Sequence, residues 1–311
     1  MTTTVSTDSA KRALFDRLID DAGLFPPANL PMRRALRAHA RHRESAYAYV
    51  GGSFVVPASL LTELTAVREP DKQLTLSVIM DAAQSSKGDT IRADLDRVTR
   101  GKVDGVTVTG FELKPPPGFR TTLERVIAAI AEHAGSEAVA LWYEIPYLGE
   151  WQRALDGAFA EIAAVRQSAP ANINVGAKLR CGGLAEGTTP SPEDIGAFLV
   201  AARAHDVPWK ATAGLHHPVR GMHDGTMMHG FLNLFIAGIA LQAGALDAAR
   251  IGEVVAEEDP RAFVVDPTHI GWQDVRVEAE AVAAARERCV SFGSCSFDEP
   301  VDDLRELGIL L

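Results

Sequence analysis

Two short apolar runs each end in a lysine followed by small residues. One is Val175-Gly176-Ala177-Lys178-Leu179-Arg180-Cys181-Gly182-Gly183, and the other is Val207-Pro208-Trp209-Lys210-Ala211-Thr212-Ala213-Gly214-Leu215. A lysine inside an apolar strand is desolvated, and a second cation nearby disfavours its charged form further. Both effects free the neutral amine for attack on a carbonyl, the first step of Schiff-base chemistry. Directly after the second run come His216-His217-Pro218-Val219-Arg220, then His223 and His229. An imidazole titrating near neutrality suits proton transfer, so His216 or His217 is a candidate acid–base group, with Glu144 as the carboxylate alternative. Arg180, Arg220 and Thr212 could hold an anionic substrate. So could Ser294-Cys295-Ser296, where small residues let backbone N–H groups approach an anion.

The same histidines support a different chemistry. His216, His217, His223 and His229, with Asp224, could bind zinc, manganese or iron. Adjacent histidines in a strand point to opposite faces, and no HExxH spacing or 2-His-1-carboxylate triad is evident. The lysine reading requires no cofactor; the histidine reading requires a divalent metal such as Zn or Mn. There is no GxGxxG opening a helix and no Walker A sequence, which argues against a dinucleotide or NTP enzyme.

These side chains need a scaffold that brings strand ends together. Short β-branched or aromatic runs alternate with helical tracts from residue 50 onward. The expected strands are Ser53–Val56, Leu74–Met80, Gly105–Thr109, Val139–Ile145, Ile173–Leu179, Pro208–Ala211, Phe263–Val265 and Val290–Gly293. Several are almost wholly apolar, as in a parallel sheet buried on both faces. Ser191-Pro192-Glu193-Asp194 marks a helix start: a capping serine, proline at the first position and acids near the dipole's positive end. Eight strands with helices between them predict an α/β protein, a (β/α)8 TIM-like barrel, with a doubly wound open sheet as the alternative. Residues 1–45 read as a helical N-terminal extension, with a helix over Lys11–Asp21, and 46–311 as the barrel, all in one domain. In such a barrel the strand C-termini carry the site. The polar residues expected there are Asp81, Glu112, Glu144, Lys178, Arg180, Lys210, Thr212, His216, His217, Asp266, His269, Ser294 and Cys295.

The chain has 311 residues, 47% hydrophobic and 23% charged, enough apolar material for a large core. Its net charge of −10 opposes non-specific nucleic-acid binding, which needs a basic face. Any anionic partner must therefore find a local positive pocket. The basic run Arg33–Arg43 reads as a solvated helix face. Three cysteines without CxxC spacing suit free thiols in a reducing compartment. The polar N-terminus lacks an apolar signal core, and the run Phe231–Ala243 is too short for a membrane span. A cytoplasmic protein is expected, with a homodimer as the base-rate oligomer.

Lys178-Leu-Arg-Cys-Gly-Gly, Thr189-Pro-Ser-Pro-Glu-Asp-Ile and Lys210-Ala-Thr-Ala-Gly-Leu together resemble the two-lysine region of deoxyribose-phosphate aldolase-type class I aldolases, over about residues 175–216. The resemblance implies that Lys178 forms the imine and Lys210 tunes it, with Glu144 or Asp104 as the acid/base carboxylate. In that family small hydroxyl residues stand where this chain has Leu179 and Arg180, and Cys181 is foreign to the pattern. The family's lysines lie on the sixth and seventh strands; counted from Ser53, those here fall on the fifth and sixth. Across most of its length the chain also resembles a bacterial family of unassigned function, through Leu24-Phe-Pro-Pro-Ala, Lys210-Ala-Thr-Ala-Gly-Leu-His-His-Pro and Ser291-Phe-Gly-Ser-Cys-Ser-Phe-Asp-Glu-Pro. Together these features lead to the expectation of an aldolase-like lyase acting on a small anionic carbonyl metabolite. The alternatives are a metal-dependent hydrolase or isomerase and a non-catalytic ligand-binding or assembly protein. On the first reading Lys210→Met abolishes turnover and leaves the fold intact.

Overall fold

The computed structural model describes residues 9–69, 72–82, 90–101, 104–114, 119–147, 151–183 and 189–310, with backbone alone for 119–122. Eight parallel strands close on themselves. They are β1 (Ile19–Asp21), β2 (Gly51–Pro57), β3 (Leu74–Ile79), β4 (Val106–Leu113), β5 (Val139–Glu144), β6 (Ile173–Arg180), β7 (Trp209–Thr212) and β8 (Cys289–Ser294). Each pairs with its successor, and β8 returns to β1. Helices cover the outside between the strands, so the fold is a (β/α)8 barrel. Closure leaves no free sheet edge and rules out the open doubly wound alternative.

Seven of the expected strands are barrel strands. The eighth place belongs to Ile19–Asp21, which the sequence had suggested was the end of a helix. Leu14 and Leu18 are both buried, as the helical spacing requires, but the helix stops at Phe15. Arg17 then adopts a positive φ of 51°, which breaks the helical path and turns the chain into β1. The barrel therefore begins within residues 1–45, and its first strand lies inside the expected N-terminal extension. Phe263–Val265 forms an antiparallel three-stranded sheet with His269–Trp272 and Val275–Glu278. Strands that follow within a few residues satisfy its backbone locally, so it has no need of the barrel.

The long connection between β7 and β8 also carries the helix Phe231–Gln242, in which every residue from Phe231 to Leu241 is buried. Each fully buried Leu, Ile or Phe is worth about 1.5–3 kcal/mol relative to exposure, so this helix is a principal core element. Its polar member, Asn233, is satisfied: its Oδ1 accepts from Arg220 N at 2.9 Å and its Nδ2 donates to Val254 O at 2.8 Å. Gly238 lets the helix approach the barrel, since a Cβ there would lie 2.6 Å from Trp209 Cζ2. No helix among the described residues is long and apolar enough to cross a membrane.

The helix Pro192–Ala204 starts as its sequence dictates. Ser191 Oγ accepts from Asp194 N and Asp194 Oδ2 accepts from Ser191 N, each at 3.1 Å.

Candidate active site

Alternation along a strand sends successive side chains to opposite faces. In β6 and β7 it turns Trp209 outward against Phe198 and Phe235 and puts Lys178 and Lys210 inside, on adjacent strands and in direct register. Glu144 on β5 is in register with Lys178. Counting β1 as first, the lysines occupy the sixth and seventh strands.

Both ammonium groups are ion-paired. Lys210 Nζ donates to Asp20 Oδ2 at 2.8 Å and to Glu112 Oε1 at 2.7 Å. Lys178 Nζ lies 2.8 Å from Glu112 Oε2 and 3.1 Å from Glu144 Oε2. Arg180 Nε donates to Glu144 Oε1 at 3.1 Å. Glu112, on β4, is thus shared between the lysines, one oxygen to each, and also accepts from Ser77 Oγ at 2.7 Å. Asp20, on β1, accepts from Ser291 Oγ at 2.8 Å and Ser53 N at 2.7 Å. Gly52 makes room for that carboxylate, because a Cβ there would fall 2.3 Å from Asp20 Oδ1. Three carboxylates and three cations form one chain across the barrel, from Arg180 at one end to Asp20 at the other.

Burial by itself would push the Lys210 ammonium down. Asp20 and Glu112 outweigh that effect and hold it above the ordinary lysine range. Burial would likewise raise the carboxyls of Glu112 and Glu144. Lys178 with Lys210 holds the first well below its usual range, and Lys178 with Arg180 lowers the second. This corrects the expectation that two neighbouring lysines depress each other: at Lys210 the interleaved carboxylates reverse the sign. Lys210 is 1% exposed, whereas the Arg180 side chain is 38% exposed, so the network faces solvent at the Arg180 end.

Backbone contact fixes the loops after β6 and β7. A Cβ on Gly214 would lie 2.8 Å from Gly182 Cα, and Gly214 has a φ of +70°. Glycine is required there by space and by conformation. Cys181 is buried in this region and its thiol is pushed up by burial, which makes it a poor nucleophile.

The remaining expected residues are dispersed. His216 Nδ1 pairs with Glu299 Oε2 at 2.8 Å and His217 Nδ1 with Asp303 Oδ2 at 2.7 Å, both partners on the last helix, Asp298–Glu306. His217 stacks on His223 at 3.4 Å between ring centroids. His229 bonds instead to Pro190 O at 2.8 Å. The expected four-histidine ligand set is therefore split, and among the described residues no group of three or more His, Cys, Asp or Glu is placed to hold a metal ion. Nor does a hydrogen bond or ion pair among the described residues join His216 or His217 to the lysines. Arg220 pairs with Glu258, away from the network. Ser294 Oγ accepts from Ser296 N and Ser296 Oγ accepts from Glu299 N, so both hydroxyls close a turn and start a helix. Thr212 ends β7 beside Gly293, and Cys295 is half-buried with its thiol raised by burial. Asp81 Oδ1 accepts from Ser59 N, and Asp266 closes its own turn by accepting from Thr268 and His269 backbone N–H groups. Asp104 is exposed before β4, at the opposite end of that strand from Glu112, and cannot serve the lysines.

Sequence reasoning missed Asp20 because its strand is too short to show a period of two. It also missed Ser53, Ser77 and Ser291, whose only signal is a small hydroxyl residue within an apolar run.

Asp21, next to Asp20, points outward. Its Oδ2 lies 3.2 Å from His39 Nδ1 and 3.3 Å from His42 Nδ1, while its Oδ1 accepts from Gly23 N. Burial would raise this carboxyl, but the two imidazoles lower it from 3.8 to about 2. A depressed folded-state value stabilises the fold above the unfolded value, and the contribution is lost as pH falls from 3.8 through about 2. At ~1.4 kcal/mol per unit, the stabilisation at neutral pH is on the order of 2 kcal/mol. Asp21→Asn is expected to lose that amount at pH 7 in urea unfolding and to flatten the acid limb of the stability profile. An unchanged acid limb would show that the pairing contributes nothing to folding.

No family model matches the chain, and no curated relative matches it. Among solved structures it is similar to dihydropteroate synthase from Xanthomonas albilineans in complex with 7,8-dihydropteroate. That match has 11% identity and a TM-score of 0.39, covering 95% of this chain and 94% of that one. A likeness at this level carries no argument about chemistry.

Proposed function

We propose that this chain is a barrel enzyme that forms a Schiff base between Lys178 and a small anionic carbonyl metabolite and uses the iminium for aldolase-like carbon–carbon cleavage. The observation that carries the reading is the position of Lys178. It sits at the C-terminal end of β6, 3.1 Å from Glu144, with the partly exposed Arg180 on the far side of that carboxylate. The C-terminal strand ends are where barrel enzymes hold their reacting groups. Lys178 and Lys210 also stand on the strands that the aldolase resemblance implies.

In this scheme the Lys178 ammonium gives a proton to Glu144. The neutral amine attacks the carbonyl carbon, forming the C–N bond while the C=O electron pair moves to oxygen. A proton passes from the adduct nitrogen to that oxygen, Glu144 returns its own proton to the same oxygen, and water leaves to give the iminium. When the carbon–carbon bond breaks, its electron pair enters the iminium to form an enamine, and the proton of the departing hydroxyl goes to Glu144. Arg180 holds the substrate's anionic end. Lys210 stays charged and positions Glu112, which in turn orients Lys178. The reaction uses no cofactor.

The test is borohydride reduction in the presence of aldehydes, 2-oxo acids and sugar phosphates, followed by peptide mass spectrometry. The expected result is an adduct on Lys178 that disappears in Lys178→Met. Adducts confined to surface lysines would overturn the reading. One observation favours a second reading: each ammonium already has two carboxylates, which also suits a purely structural network in a non-catalytic barrel. That reading expects no adduct on either lysine and a stability loss as its only mutational phenotype.

A further inference from the structure

A cavity of about 550 Å³ opens at the other end of the barrel. Its wall includes Ala140, Asn174 and Val290, each the second residue of its strand, together with the helices that precede β1 and β8. It therefore enters from the N-terminal mouth, opposite the Lys178–Glu144–Arg180 end. The size suits a small metabolite.

The chemistry of the wall is specific. Inside are the edge of Trp142 and four hydroxyls whose protons are already engaged, Ser77 donating to Glu112, Ser291 to Asp20, Thr109 to Leu76 O and Ser53 to Thr109. Trp142 Nε1 has no acceptor among the described residues. Gly176 gives the indole its place, since a Cβ there would lie 2.4 Å from Trp142 Cζ3. At the inner end Lys210 Nζ spends two of its three protons on Asp20 and Glu112, leaving one for the cavity. Two arginines in the wall lack a carboxylate. Arg286 is satisfied by carbonyls alone, donating to Ala13 O at 3.3 Å, Asp16 O at 2.8 Å, and Cys289 O and Val290 O. Arg17 is exposed at the rim, and its side chain makes no hydrogen bond or ion pair among the described residues. Arg12, by contrast, is matched by Asp16. The wall sets four cations, Arg12, Arg17, Lys210 and Arg286, against three carboxylates, Asp16, Asp20 and Glu287, a balance of one positive charge on a chain of net charge −10.

We infer that the N-terminal cavity is a second binding site, for a small anionic metabolite bearing a phosphate or carboxylate group, held by Arg17 at the rim and by Trp142 Nε1–H and Lys210 within. The site is separate from the mouth at which Lys178 is proposed to act. The two meet only at Glu112, which accepts from both lysines.

Isothermal titration calorimetry on the full chain with inorganic phosphate, pyrophosphate and succinate tests it and distinguishes the two anion classes. At least one probe is expected to bind saturably in the millimolar range or tighter. Arg17→Ala removes the unpaired rim cation. Ala283→Glu adds a negative charge at an exposed rim position. Neither disturbs a buried contact, and either is expected to raise Kd about tenfold, the loss of one charge-assisted contact. Absence of saturable binding with all three probes would overturn the inference. So would affinities unchanged in both variants, including the case where only Arg180→Ala, at the opposite mouth, weakens binding. Neither result depends on whether Lys178 forms an adduct.

Discussion

Lys210→Met is expected to cost about 3–5 kcal/mol of folding stability. Methionine fills much the same volume but leaves two carboxylates behind. Asp20 and Glu112 are 5% and 3% exposed, and each loses its 2.7–2.8 Å ammonium partner. Removing one member of a buried pair typically costs this much, because the survivor keeps its desolvation penalty without compensation. Urea unfolding at pH 7 measures the loss directly. The companion variant Lys210→Met/Asp20→Asn is expected to recover part of it by neutralising one stranded carboxylate, and a thermodynamic cycle isolates the coupling. A loss below about 1 kcal/mol would mean that water or rearranged partners satisfy the two acids. Retained foldedness after Lys210→Met, expected when the lysine is read as a catalytic group alone, is thus replaced by marked destabilisation. Activity lost in that variant must therefore be compared at matched folded fractions.

Glu144→Gln is expected to slow adduct formation at Lys178 by about 10²–10⁴-fold, the range for removing a positioned proton acceptor. The amide keeps the shape and can still accept from Arg180, and Lys178 keeps Glu112 at 2.8 Å, so the fold is expected to survive. The pH profile separates chemistry from structure. Without Glu144 the residual rate is expected to climb as pH rises and hydroxide takes the ammonium proton, whereas the parent protein is expected to react at neutral pH. Borohydride trapping over a pH series reads both quantities. Equal rates in parent and variant at every pH would exclude Glu144 as the acceptor and leave Glu112 as the remaining carboxylate within reach.

The buried carboxylates also shape the response to acid. Glu112 and Glu144 are held below the ordinary 4.5, so their contribution is present above that value and lost as pH falls beneath it. Lys210 is held above the ordinary 10.5, so its contribution is intact below that value and lost only at more alkaline pH. Between these limits Glu112, Glu144 and Lys210 are all charged.

Much of the architecture was legible in the sequence. Apolar runs of four to eight residues separated by amphipathic helices specify a parallel sheet buried on both faces, and seven strands follow from that pattern alone. Ser191 and Asp194 determine their own helix start because a capping box is a local device. The two lysines were also evident, since a cation inside an apolar strand must be explained by something. Tertiary structure decided what surrounds them. Asp20, Glu112, Lys178 and Lys210 come from β1, β4, β6 and β7, and no local periodicity encodes which of these side chains converge when the sheet closes. Closure also set the sign of the electrostatics. Two lysines read along the chain repel each other, but with Glu112 between them each has an opposite charge within 3 Å, and at Lys210 Coulombic attraction outweighs desolvation. The histidines show the same limit from the other side. Four of them within fourteen residues look like a ligand set in sequence, yet the fold gives His216, His217 and His229 to three different partners. Residue type and spacing determined which groups could react; the order in which the strands close determined which of them meet.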